Sequence, residues 1–181
     1  MTAIDHLSTA ALAVGIFALL SIVYYSLRSG SPPTPAPRRA SRRAIESLSR
    51  EPLPDGAIYE LGSGWGGAAR ALAKRFPERD VVGVEISLAP FLWSRLVNRV
   101  APIENLALFR ADFFDLSLAN AAAVFCYLRG KTMTALAEKF SEELPPRALV
   151  ATVTFAIRDR APVRTDRADD FYKSEIFLYR Y

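Results

Sequence analysis

The chain predicts an α/β fold, a compact doubly wound and mostly parallel sheet preceded by one N-terminal transmembrane helix. Three observations carry this expectation. Apolar strand-like runs alternate five times with amphipathic helical runs across residues 57–157, the order that builds a sheet covered on both faces. The first strand-like run ends in a glycine-rich turn, Ile58-Tyr59-Glu60-Leu61-Gly62-Ser63-Gly64-Trp65-Gly66-Gly67. Residues 7–27 hold no charged side chain, and about 20 apolar residues in a helix cross a bilayer core.

Taken in order, residues 1–28 read as the anchor, 29–50 as a Pro/Arg-rich linker and 51–181 as the domain. Leu12, Val14, Ile16, Phe17, Leu19, Leu20, Ile22 and Val23 make the first segment apolar on all faces. Tyr24 and Tyr25 stand at one end, where amphipathic rings favour the interface. A cleaved signal peptide would want basic residues ahead of a shorter apolar core, and no Lys or Arg precedes Arg28. Arg28, Arg38, Arg39, Arg42 and Arg43 all follow the segment. Positive charge stays inside, so the expectation is a single-pass protein with its N-terminus outside and its domain cytoplasmic, on a bacterial inner membrane. The arginines are read either as contacts to anionic headgroups or as a solvated linker. Prolines at 32, 33, 35 and 37 imply an extended spacer, and 40–48 has the makings of a short basic helix.

Within the domain, 57–61 is the first strand. Residues 68–76 form a helix with Ala69, Leu72, Ala73 and Phe76 on one face, stopped by Pro77. Residues 80–86 are apolar without alternation, as expected of a strand buried on both faces. Ser87 is a candidate N-cap. Leu88, Leu92, Leu96 and Val100 then recur every four residues, which is the apolar face of an amphipathic helix. Strands follow at 106–110 and 121–127. A helix at 132–144 carries Met133, Leu136, Phe140 and Leu144 on one face and ends at Pro145-Pro146. Residues 149–157 are a fifth strand, 159–170 a charged loop, and 174–181 an edge strand that closes the sheet.

Charge and inventory narrow the chemistry. The net charge is +4 and the pI about 9.4. Six arginines against Asp5 and Glu46 place all of that excess in residues 1–50, leaving 17 basic and 17 acidic residues beyond. A neutral domain argues against a nucleic-acid-binding face. The single cysteine, Cys126, excludes an intrachain disulfide and a cysteine zinc site; in its apolar run it reads as a small core residue. The single histidine, His6, lies in the N-terminal segment, so no histidine base or histidine-held metal is expected in the domain.

The glycine turn and two later strand ends point to a nucleoside cofactor. Glycine suits a tight strand-to-helix turn against which a ligand packs, and amides at a helix start face that ligand. Glu85 ends the second strand 23 positions after Gly62, the placement of an acid that accepts from ribose hydroxyls. Asp112 and Phe113 follow the third strand. The loop spacing is G-x-G-x-G rather than the G-x-G-x-x-G of dinucleotide sites, and Glu60 precedes it, disfavouring a pyrophosphate and favouring a cation. A dehydrogenase is thereby disfavoured.

This pattern resembles motif I of the class I S-adenosylmethionine (AdoMet) methyltransferases, [DE]-x-G-x-G-x-G, whose Rossmann-like domain binds AdoMet, a ligand with an ammonium and a sulfonium and no phosphate. The resemblance implies that Glu60 and the loop Gly62, Ser63, Gly64 and Gly66 hold the amino-acid part. It implies that Glu85 takes the ribose, Asp112 the adenine amino group, and Phe113 or Ile86 the ring face. Trp65 covers the sulfonium end, since aromatic faces attract cations, or is a loop aromatic lying over the first helix. Tyr127, at the end of the fourth strand, is the catalytic candidate, with Thr154 and Phe155 as further substrate-facing residues. Many amine-methylating relatives have an acid or Asn followed by Pro-Pro there; this chain has Phe125-Cys126-Tyr127-Leu128, which argues against the nucleic-acid amino-methylating type. The segment from Glu85 to Arg95 also resembles the small membrane-anchored protein lysine methyltransferases that modify the ATP synthase c subunit and the adenine nucleotide translocase, in the short form of a bacterial relative. The expected partner is therefore a membrane-embedded protein with a target lysine. The alternatives are a phospholipid headgroup amine and a non-catalytic AdoMet-binding membrane module.

Overall fold

A computed structural model describes the backbone of residues 3–29 and 36–181. The elements are α1 (Ala3–Ser29), α2 (Arg38–Leu48), β1 (Ala57–Leu61), α3 (Gly67–Arg75), β2 (Val81–Val84), α4 (Leu88–Val100), β3 (Leu106–Phe109), β4 (Ala121–Cys126), α5 (Gly130–Glu143), β5 (Leu149–Val153), β6 (Arg164–Arg167) and β7 (Glu175–Arg180). The strands make one seven-stranded sheet in the order β3-β2-β1-β4-β5-β7-β6. The first five of that order pair in parallel, and β7 runs antiparallel to both β5 and β6. Strand order reverses between β1 and β4, so the crevice beyond their carboxyl ends is where such a sheet binds its ligand.

Alternation along the strands sorts the core into two layers. Leu149, Ala151 and Val153 of β5 face the layer holding Ala69 and Leu72 of α3. Val150 faces the layer holding Met133, Leu136 and Phe140 of α5. β4 is buried at every position, which its small residues Ala121, Ala122 and Ala123 permit. Cys126 ends that strand, fully buried, and burial pushes its thiol up to about 12.

Several expectations are corrected. Part of the segment read as a linker belongs to the fold: Ala40, Ala44 and Leu48 of α2 are fully buried, with Ile45 beside them. Four-residue spacing gives α2 an apolar stripe that its arginines conceal in composition. Two arginines of the cluster, Arg39 and Arg43, are correspondingly engaged with the domain. Arg43 pairs with Asp166 at 3.2 Å, Ser47 donates to the same carboxylate, and Arg39 donates to the Asp169 carbonyl at 2.9 Å. The charged stretch 159–170 contains β6, which is the sheet's edge, so β7 is an inner strand rather than the edge. The apolar face of α4 is turned outward; Pro90, Phe91 and Ser94 face in instead. Ser87 makes no side-chain cap.

The segment expected to span a membrane is the helix α1. Among the described residues no helix is long and apolar enough to cross a membrane. Several side chains of the expected span, among them Leu7, Val14, Phe17 and Leu27, lie outside the described residues, as does most of the proline spacer, 30–35. α1 also touches the domain. The Ala89 amide donates to Ser21 Oγ at 3.3 Å, and Arg110 donates to the Tyr25 hydroxyl.

Candidate functional site

The turn after β1 is tied to β2, since the amides of Gly62 and Ser63 both donate to the Val84 carbonyl at 2.9 Å. Gly64 has φ +52°, and a Cβ built there would meet nothing within 4 Å, so its backbone faces open space. Gly66 is the left-handed N-cap of α3. A Cβ on it would stand 2.7 Å from Ser94 Cβ, so glycine there is what lets α4 lie against the loop.

Glu85 joins these parts. Its Oε2 accepts from the Gly64 amide at 2.8 Å and its Oε1 from the Ser87 amide at 2.7 Å. One buried carboxylate thus holds the loop and the start of α4 together, and it takes the amide that a Ser87 cap would have left alone. Glu60 is buried, and its Oε2 has no hydrogen-bond partner among the described residues. Burial pushes its carboxyl well above the usual value of 4.5; the Ala69 amide opposes this and the nearby Glu85 charge adds to it.

Asp112 caps a 3-10 turn, Phe113–Asp115, its Oδ1 accepting from the Phe114 amide at 3.0 Å. The rings of Phe113 and Phe114 lie 4.8 Å apart. α5 holds this turn in place. Lys139 Nζ donates to the Phe114 carbonyl at 3.1 Å and to Glu143, whose other oxygen accepts from the Leu118 amide at 2.9 Å. Tyr127 follows β4, its ring 5.8 Å from that of Phe155.

A cavity of about 1060 Å³ gathers these groups: Glu60, Gly62, Ser63, Gly64, Trp65, Glu85, Ile86, Asp112, Phe113 and Tyr127 all line it. Gly66 does not; it sets the loop against α4. Thr154 and Phe155 line a separate hollow of about 190 Å³, and Thr154 sits at φ +67° with its amide donating to the Glu175 carbonyl at 2.7 Å. Residues that sequence reasoning missed also line the main cavity. Arg38, Ser41 and Arg42 arrive from α2, Trp93 from α4 and Thr132 from α5. Trp93 meets Trp65 edge to face at 6.5 Å. A signal for Trp93 existed in the helix period, which sets it apart from Phe91 and Ser94; none existed for the α2 residues.

The arrangement fits AdoMet. A buried carboxyl with an unpartnered oxygen suits an ammonium, and the Ser63 hydroxyl is likewise without a partner among the described residues. The open backbone at Gly64 admits a ligand, and aromatic rings line the walls. Among the described residues no group of His, Cys, Asp and Glu is placed to hold a metal ion.

Comparison with known proteins agrees. The ANTKMT methyltransferase domain family matches residues 60–164. A protein-lysine N-methyltransferase of Saccharolobus islandicus (strain REY15A) is 28% identical over 155 residues, covering 82% of this chain and 92% of that protein. A release factor glutamine methyltransferase of Vibrio cholerae is 36% identical over 87 residues, 47% of this chain and 30% of that protein. In fold, the chain is similar to an RNA methyltransferase of Salinibacter ruber solved with S-adenosyl-L-homocysteine. The TM-score is 0.70 at 24% identity, covering 81% of this chain and 93% of that one. The chain belongs to the ANTKMT methyltransferase domain family and is a class I AdoMet-dependent methyltransferase, with AdoMet as its cofactor.

Proposed function

We propose that this enzyme methylates an amine, the side chain of a lysine in a membrane protein, while held by α1 at a bacterial inner membrane with its domain on the cytoplasmic side. The observation that carries the reading is Tyr127. It stands beyond the carboxyl end of β4 in the same cavity as Glu60, Glu85 and the glycine loop, where a hydroxyl and a ring are available to orient an amine. The lysine specificity draws on the 28% identical relative, which is a protein-lysine N-methyltransferase. The membrane setting draws on the uncharged stretch 7–27.

AdoMet supplies an activated methyl group on a sulfonium. The chain's own residues bind, orient and desolvate. Glu60 and the loop from Gly62 to Gly64 take the amino-acid end, Glu85 the ribose, Asp112 the adenine amino group, and Phe113 with Ile86 the ring. Trp65 with Trp93 walls the sulfonium end. The attacking amine must be neutral, and burial in a low-dielectric pocket favours the uncharged form, so no histidine base is needed.

The test is to incubate the full chain with methyl-labelled AdoMet and bacterial membranes, then separate protein from lipid. Label that hydrolyses to methyl-lysine supports the proposal. Label in the lipid phase makes a headgroup amine the acceptor, and label in neither, with AdoMet binding measured, refutes both. Tyr127→Phe should lower kcat by about 10- to 100-fold, the loss expected of misaligned reactants, without changing AdoMet affinity.

A further inference from the structure

α4 presents an apolar face that no side chain among the described residues covers. Leu92, Leu96 and Val100 are stacked at four-residue spacing and are 48%, 54% and 77% exposed, with Trp93 beside them at 51%. Such a face normally marks an interaction site. The helix has no acidic residue, and Arg95 and Arg99 border the stripe. Ala89, one turn before Trp93 on the same side, is where α1 touches α4. Nearby, Arg110 donates to the Tyr25 hydroxyl and lies 5.7 Å from the centre of that ring. The side chains of Leu19, Leu20 and Val23 on α1 are themselves exposed.

We propose that this face of α4 docks on an anionic lipid surface, a second membrane contact in addition to α1. The inference rests on the reading of α1 as a membrane helix. An apolar stripe bordered by arginines and free of acids matches a bilayer boundary carrying negative headgroups. It does not match a second copy of itself, because a two-fold pairing of the stripe would bring Arg95 and Arg99 of both copies together without a compensating acid. The stripe is short, but tethering by α1 makes its docking intramolecular, so weak affinity suffices. Trp93 heads the stripe and also lines the cofactor cavity. Docking therefore sets the cavity wall at the membrane surface and fixes the orientation from which an acceptor enters.

The chain has two tryptophans, so Trp65→Phe leaves Trp93 as the only reporter. The full chain with this change is reconstituted into anionic vesicles whose lipids carry a nitroxide at headgroup depth. Trp93 emission should shift to the blue and fall by at least about twofold, since an apolar face seats about 5–10 Å into the boundary. Leu96→Glu with Val100→Glu, both outward-facing, should remove the quenching without lowering the melting temperature, and zwitterionic vesicles should weaken it. As a second reporter, Leu96→Cys carrying a polarity-sensitive dye avoids the cofactor loop, because the chain's own Cys126 is buried. Protein that floats with the vesicles while both reporters stay in water overturns the docking face and leaves the α1 anchor standing. Protein that does not float overturns both. A blue shift that grows with protein concentration and is not quenched by lipid makes the face an interface between copies and overturns the proposal.

Discussion

α4 and α5 carry the same sequence pattern and meet opposite surroundings. Each repeats large apolar residues at helical spacing. In α5, Met133, Leu136 and Phe140 are buried against Val124 of β4, Val150 of β5 and Tyr179 of β7. In α4, Leu92, Leu96 and Val100 face away from the sheet, while Pro90, Phe91 and Ser94 face in. α5 lies over the middle of the sheet, where inner strands offer an apolar surface. α4 lies toward the edge that ends in β3 and is positioned by Glu85 and Gly66. Helical period shows that an apolar face exists, and the neighbours decide what covers it.

The strongest way to break this comparison is to truncate one residue from each stripe. Leu136→Ala should cost about 2–5 kcal/mol of unfolding free energy. Leu96→Ala should fall within about 0.5 kcal/mol of the parent. Urea denaturation of the two variants decides it, and equal losses would mean that α4 is packed as α5 is.

The contact that sets α4 is next in size. Gly66→Ala places a Cβ 2.7 Å from Ser94 Cβ at φ +79°, and the backbone strain alone costs about 1–3 kcal/mol. Adding Ser94→Gly should recover the clash and leave the strain, a partial rescue visible in thermal melts. Full recovery would show that the left-handed turn is not required.

Glu85 tests whether the brace at the start of α4 also serves the ligand. Glu85→Ala should weaken AdoMet binding by about 1–3 kcal/mol, as loss of hydrogen bonds to a carboxylate implies. Titration calorimetry measures it, and unchanged affinity would reduce Glu85 to a structural tie.

The smallest effect is a pH dependence at Glu60, whose carboxyl burial holds well above 4.5. A carboxyl raised in the folded state contributes stability that is complete below its unfolded value and is lost as pH rises through the folded value. The ligand-free protein should therefore lose melting temperature as pH climbs above the ordinary carboxylate range. AdoMet, whose ammonium favours the charged form, should stabilise more over the same window. Glu60→Gln should flatten both curves, and a pH profile identical to the parent's would remove Glu60 from the account.

Legibility in the sequence followed the range of the interactions. Glu60, Gly62, Gly64, Glu85 and Asp112 were readable because each stands at a strand end or in a turn whose chemistry is local. That they line one cavity follows from parallel strands that bring their carboxyl ends side by side. α2 was misplaced because five arginines in the stretch 38–50 outweigh Ala40, Ala44, Ile45 and Leu48 in composition. β6, Arg-Thr-Asp-Arg, was missed because an edge strand paired on one side needs no apolar run. Lys139 was invisible because its partners, the Phe114 carbonyl and Glu143, include one that lies 25 residues away.

By itself the sequence determined the alternation of strand and helix, the glycine loop after the first strand and the acids at the later strand ends, since hydrophobic period and turn chemistry act over a few residues. Only the tertiary structure decided that α2 closes one side of the cavity, that β7 lies inside the sheet, and that α4 turns its apolar face outward. Those outcomes depend on which surfaces meet across the chain, and burial, unlike period, is a property of the neighbours.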